Sequence, residues 1–151
     1  MAAKRVMSVR DRMSRNVTTV RPATRLSAAA ALMRDRKVRH LPVVDGVGRL
    51  VGIVTARDLR QALFAPAVQA EGTDLPAVLN ALTVGDVMTR GVVSVRAVTA
   101  IREAARVMHE RRLGALPVVE GGHLVGILTE TDVLRAFQEL LGNAMPAAIS
   151  V

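Results

Sequence analysis

Two short motifs have residue types and spacing that could do chemistry, and both are Thr-x-x-Asp: Thr55 with Asp58, and Thr129 with Asp132. Each follows an apolar, β-branched run and so marks a strand passing into a helix. At such a junction the threonine can cap the helix and the aspartate complements its positive end, a purely structural role. The same geometry suits a second task. A carboxylate held beside a hydroxyl at a helix N-terminus can accept hydrogen bonds from the vicinal hydroxyls of a ribose. Arg39 and His40 form another candidate group, at the mouth of the strand beginning Leu41-Pro42. An arginine fork and an imidazole there could hold a phosphate, although the pair reads equally well as a solvated strand end.

Other chemistries find no support. There is no Gly-x-Ser-x-Gly elbow, no Gly-x-x-x-x-Gly-Lys-Ser/Thr phosphate loop and no His-Glu-x-x-His. His40, His109 and His123 fall in different elements without partners at metal-ligand spacing, so neither catalytic nor metal-binding residues are expected. Cysteine is absent, which removes disulfides, thiolate metal sites and a cysteine nucleophile. A small enzyme is therefore the least supported reading.

The elements that must position these residues occur twice. Residues 9–46 set against 84–121, and 49–64 against 123–138, pair 54 positions, of which 24 are identical. Each copy opens on a capping pattern, Ser8-x-x-Asp11 or Thr83-x-x-Asp86, that leads to an equivalent methionine, Met13 or Met88. Val17–Val20 and Val92–Val95 follow as matching strands. Leu26, Ala29, Ala30 and Met33 then repeat at i, i+3, i+4 and i+7, as do Ile101, Ala104, Ala105 and Met108, which predicts one amphipathic helix per copy with its stripe buried. A hairpin comes next, Leu41–Val44 to Leu50–Thr55 and Leu116–Val119 to Leu124–Thr129, with an acidic-glycine turn one residue shorter in the second copy. The closing helices carry Leu59, Ala62 and Leu63, or Val133, Ala136, Phe137, Leu140 and Leu141, on one face. The expected division is a tail at 1–7, a first motif at 8–64, a linker at 65–82 that turns helical near Pro76–Leu82, a second motif at 83–141, and a tail at 142–151. Two copies do not make an extended solenoid, so one closed module is predicted in which each covers the other's apolar face.

Where the copies differ is informative. Gly114 and Ala115 stand where the first copy has Arg39 and His40, so two similar clefts would be chemically unequal. The chain of 151 residues is half hydrophobic, long enough for one domain with a real core. No apolar run approaches the roughly 20 residues of a membrane span, and the start lacks a secretory apolar core, so a cytoplasmic protein is expected. Net charge is +8, almost all from arginine, which favours anionic partners. With Phe64 and Phe137 the only aromatics, there is no platform for stacking single-stranded bases. A basic nucleic-acid-binding accessory protein, suggested by Lys4, Arg5, Arg10, Arg12 and Arg15, remains the alternative function.

The repeated text resembles the CBS motif, the unit named after cystathionine β-synthase, and the pair resembles a CBS tandem, or Bateman module. The resemblance rests on Val9-x-Asp11-x-Met13, Leu41-Pro42-Val43-Val44-Asp45, Gly52-Ile53-Val54-Thr55 and Asp58, with Val84-x-Asp86-x-Met88, Leu116-Pro117-Val118-Val119-Glu120, Gly126-Ile127-Leu128-Thr129 and Asp132 in the second copy. It implies an α+β fold of two βαββα units about a pseudo-twofold axis, with two clefts between them and pairing into a disc-shaped homodimer. It implies an adenine nucleotide (AMP, ADP or ATP) or S-adenosylmethionine as regulatory ligand, with no required cofactor. Thr55, Asp58, Thr129 and Asp132 would hold ribose, and Thr18, Thr19, Val93 and Ser94 would lie against the base. Phosphate would go to Arg39 and His40 in the cleft of Asp132, while Arg57 would compensate in the cleft of Asp58, which faces Gly114 and Ala115. Since the tandem leaves little of the chain over, its action would pass to an unidentified regulated protein.

Overall fold

In the computed structural model, the residues described are 5–65 and 74–142. Residues 1–4 and 143–151 of the expected tails, and 66–73 of the expected linker, lie outside them. The described chain forms a 3₁₀ turn at Val9–Asp11, then α1 (Leu26–Arg36), β1 (His40–Val44), β2 (Leu50–Thr55), α2 (Ala56–Leu63), α3 (Leu75–Ala81), α4 (Val84–Val87), α5 (Ile101–Arg111), β3 (Ala115–Glu120), β4 (His123–Thr129) and α6 (Glu130–Leu141).

The two hairpins form as their periodicity requires. β1 pairs antiparallel with β2 and β3 with β4, with a bulge after Val43 and after the equivalent Val118. In the first turn the Asp45 carboxylate accepts from the N–H groups of Val47 and Arg49, at 3.0 and 2.9 Å. The shorter second turn is Gly121-Gly122, both at positive φ (57° and 82°), conformations that glycine adopts without a Cβ penalty.

The segments Val17–Val20 and Val92–Val95, expected as strands, are not strands. Each adds one parallel bridge to its hairpin, Val20 to Val43 and Val95 to Val118, held by two backbone hydrogen bonds, one on either side. Arg21-Pro22 and Arg96-Ala97 break away immediately into turns closed by Thr24 and Thr99, whose hydroxyls accept from the N–H of Arg21 and Arg96. One bridged residue per segment does not propagate a ladder.

Packing exchanges the openings of the two copies. The first core gathers Val20, Leu26, Ala29, Met33, Leu41, Val43, Val54 and Leu59 from copy one, then takes Val84 and Met88 from copy two. The second gathers Val95, Ile101, Ala104, Met108, Leu116, Val118, Leu128 and Ala136, and takes Val9 from copy one, with Met7 and Met13 packed against it. Backbone bonds run the same way. Ile53 and Thr89 exchange two hydrogen bonds, as do Ser14 and Ile127, so each β2 or β4 edge is covered by the other copy's opening segment. The free N–H of Leu26 at the start of α1 donates to Leu82 O, and that of Ile101 at the start of α5 donates to Met7 O.

Gly52 and Gly126 permit this closeness. A Cβ on Gly52 would stand 2.6 Å from Met88 Sδ and 3.0 Å from Thr89 O; on Gly126, 2.8 Å from Met13 Sδ and 3.0 Å from Ser14 O. At the far end the hairpin tips also join, Leu50 N–H to Gly122 O and Leu124 N–H to Gly48 O, both 3.1 Å. The expected face-to-face closure is thus present, about a pseudo-twofold axis. The linker contributes as well: α3, capped by the Asp74 carboxylate, packs on α1 and α2 with Val78 buried.

The closing helices are unequal. In α2, Leu59 is buried and Ala62 packs on the first core. In α6 only Val133 and Ala136 reach the second core, whereas Leu134, Phe137, Leu140 and Leu141 are all more than half exposed.

Candidate functional site

Both Thr-x-x-Asp motifs fold as helix caps. Thr55 N–H donates to Asp58 Oδ2 at 2.8 Å, and Asp58 N–H returns a 3.2 Å bond to the Thr55 hydroxyl. Thr129 N–H likewise donates to Asp132 Oδ2 at 2.8 Å, and here the hydroxyl donates to the same oxygen at 2.9 Å. The cap consumes one carboxylate oxygen in each case. Among the described residues Oδ1 of Asp58 and of Asp132 makes no hydrogen bond, yet neither is a sealed, unsatisfied atom, so both stay within reach of solvent. A half-buried carboxylate with one oxygen fixed and one free is a positioned acceptor. Capping and ligand binding do not compete for the same atom.

Arg39 and His40 stand beside the first cap, and the His40 ring reaches the other copy. Arg39 O accepts the first helical N–H of α2, from Ala56, and His40 lies opposite Thr55 in the β1–β2 ladder. Gly114 O and Ala115 do the same for Glu130 and Thr129. The imidazole of His40 crosses between the copies: a Cβ placed on Gly114 would be 2.9 Å from its Nε2 and 3.0 Å from its Cε1, and 3.8 Å from Cδ of Glu130. The ring can sit there only because position 114 lacks a side chain. Half-buried and next to the Arg39 guanidinium, His40 is held below the usual imidazole value of 6.5, mainly by loss of water; Glu130 and Asp58 pull the other way.

Thr18 and Thr19 are half-buried in the stretch that leads to the parallel Val20 bridge, so they run alongside the start of β1. Val93 and Ser94 occupy the equivalent stretch beside β3, where Val93 packs against the second core. Arg57 is exposed in the first turn of α2, one residue before Asp58. The structure therefore brings Thr55, Asp58, His40 and Glu130 to one junction between the copies. Glu130 is the member that sequence reasoning missed. Its signal was present as the change from Ala56 in copy one to an acid in copy two.

Two shallow hollows lie elsewhere, one of about 380 Å³ bounded by Arg135, Gln138, Glu139 and Gly142, the other of about 230 Å³ bounded by Arg5, Met7, Asp11 and Arg12. Both adjoin the Arg12–Glu139 ion pair, which ties the N-terminal turn to α6, and neither is lined by a predicted site residue. Among the described residues no group of three or more His, Cys, Asp or Glu is disposed to hold a metal ion, and no helix is long and apolar enough to cross a membrane.

Two hairpin-and-helix units interlocked about a pseudo-twofold axis, each with an aspartate fixed at a strand-to-helix junction, define a paired-motif α+β module. The sequence pattern of the CBS domain matches the chain twice, over residues 7–65 and 84–139, and the chain belongs to the CBS domain family as a CBS pair. It is 32% identical over 139 residues to a CBS domain-containing protein of Dictyostelium discoideum, covering 91% of this chain and 96% of that one. Among solved structures it is similar to CBSX2 in complex with AMP (36% identity, TM-score 0.76, 89% of this chain and 98% of that one), CBSX2 being a CBS-pair protein from Arabidopsis thaliana. It is also similar to the CBS domain pair of protein MJ0100 in complex with 5′-methylthioadenosine and S-adenosyl-L-methionine (28% identity, TM-score 0.75, 88% and 97%). Several other curated relatives are much longer, and the chain spans 32%, 23% and 24% of three of them.

Proposed function

We propose that this chain is a non-catalytic, cytoplasmic regulatory module that binds an adenine nucleotide or adenosyl ligand between its two copies and signals its occupancy to a partner protein. The observation that carries the reading is the pair of capped aspartates, each with one carboxylate oxygen fixed and the other free. Thr129 and Asp132 hold ribose in one cleft, with Arg39 and His40 of the opposite copy at the phosphate end. Thr55 and Asp58 serve the other, where Arg57 is the nearby cation and Gly114 and Ala115 offer none. Thr18, Thr19, Val93 and Ser94 supply the backbone edge for the base. The complexes of similar CBS pairs with AMP and with S-adenosyl-L-methionine support this ligand class. Occupancy is transmitted to the extent that the ligand prefers one packing of the copies over another.

The exposed apolar run of α6 supports a homodimer as the working unit.

Titration calorimetry with AMP, ADP, ATP and S-adenosylmethionine tests the reading. Asp132→Ala should weaken binding at least about tenfold while costing roughly 1 kcal/mol of stability as a lost cap. Asp86→Ala is the control: Thr83 N–H donates to Asp86 Oδ2 at 2.8 Å, so its loss removes a comparable cap outside the proposed clefts and should leave affinity unchanged. Equal affinities in Asp132→Ala and the parent chain would leave Asp132 a cap and nothing more.

A further inference from the structure

Resting on the cleft assignment above, we propose that Glu130 determines which adenosyl ligands the Asp132 cleft admits: those without a polyphosphate tail. The argument starts from three groups that meet at one point. Gly114 leaves a gap, the His40 ring fills it from the opposite copy, and the Glu130 carboxylate closes on the same spot. Glu130 is the first residue of α6, two before Asp132, and its carboxylate lies against the His40 ring assigned to phosphate. Copy one has Ala56 at this position, so α2 opens without such an acid.

Charge decides the consequence. The molecule as a whole is strongly basic, but this junction is not. Around the His40 ring Arg39 supplies one positive charge and Glu130 and Asp58 supply two negative ones, with Asp132 two residues further along α6. His40 adds a positive charge only when protonated, which its burial and the neighbouring Arg39 both oppose. A triphosphate entering here would set several negative charges beside the Glu130 carboxylate, and like charges brought together in a partly desolvated site are costly. A single phosphate can reach Arg39 and stop short, and a positively charged 5′ substituent gains from Glu130 directly. Selectivity then comes from a repulsive element as well as an attractive one.

The test compares metal-free ATP, AMP and S-adenosylmethionine by calorimetry on the full chain, on Glu130→Gln and on Asp132→Ala, with the His40 ring followed by NMR titration. The parent chain should bind AMP or S-adenosylmethionine more tightly than ATP. Glu130→Gln should move the ATP to S-adenosylmethionine affinity ratio toward ATP by about tenfold, and it should lower the His40 pKa because the neighbouring anion is gone. An unchanged ratio in Glu130→Gln, with binding still lost in Asp132→Ala, would overturn this inference and leave the cleft assignment standing. An unmoved His40 titration, or a parent chain that prefers ATP, would overturn it as well. If none of the three ligands binds the parent chain, both proposals fall.

Discussion

Single residues carry most of what distinguishes the two copies. His40 is the most exposed to a change of conditions, because it is a half-buried imidazole wedged against Gly114 with Arg39 beside it. Its folded-state pKa lies below the usual 6.5, so the unfolded chain takes up the proton first as pH falls. The stability that follows from keeping the ring neutral is present above about pH 6.5 and is lost as pH drops through the folded-state value. Denaturant midpoints measured between about pH 5 and 8 should fall on the acid side in the parent chain, and His40→Gln should flatten that part of the profile. A parallel profile in the variant would show that His40 does not carry the dependence. At this scale the sequence was informative about identity and poor about contact. Thr55, Asp58, Thr129 and Asp132 could be placed at helix starts from their spacing alone. The family resemblance put His40 toward the other copy, but that it meets Glu130 could not be read, because a contact between residues 90 positions apart depends on how the copies close, and no local pattern encodes it.

Elements were legible where a period ran long enough to be read. The eleven-residue helices α1 and α5 and both hairpins stand where their patterns put them. Val17–Val20 and Val92–Val95 looked like strands for the same reason and are not, since each touches its sheet at one residue before a turn takes the chain away. The closing helices show the converse failure. The apolar stripe of α6 was readable, but nothing local says that its second half outruns the core it packs on. Leu134, Phe137, Leu140 and Leu141 therefore face outward. That helix is where a second copy should dock. Phe137→Glu should shift the sedimenting species from twice the chain mass to once, and its thermal midpoint should no longer rise with protein concentration, while the fold of the single chain is kept because Phe137 is 56% exposed in it. A monomeric parent chain, or a variant that stays dimeric, would remove α6 from the interface.

At the scale of the whole molecule the two repeats exchange segments. The text divides at residues 65–82, but packing does not: Val84 and Met88 lie in the first core, and Val9 in the second. Neither motif alone has all the residues that fill its core or cover its sheet edge. Calorimetric unfolding should accordingly give one transition, with the calorimetric and van't Hoff enthalpies in agreement; two resolved transitions would mean that the exchanged segments contribute little. The duplication was visible in the sequence, and the exchange was not, because the opening segments look alike and their partners are told apart only in three dimensions.

Exchange of this kind has a consequence for damage. A protease severing the backbone anywhere between residues 65 and 74 would set nothing free. Each fragment would still have its leading end clasped inside the other, and a ligand gripped across the seam would meet the same walls as before the cut.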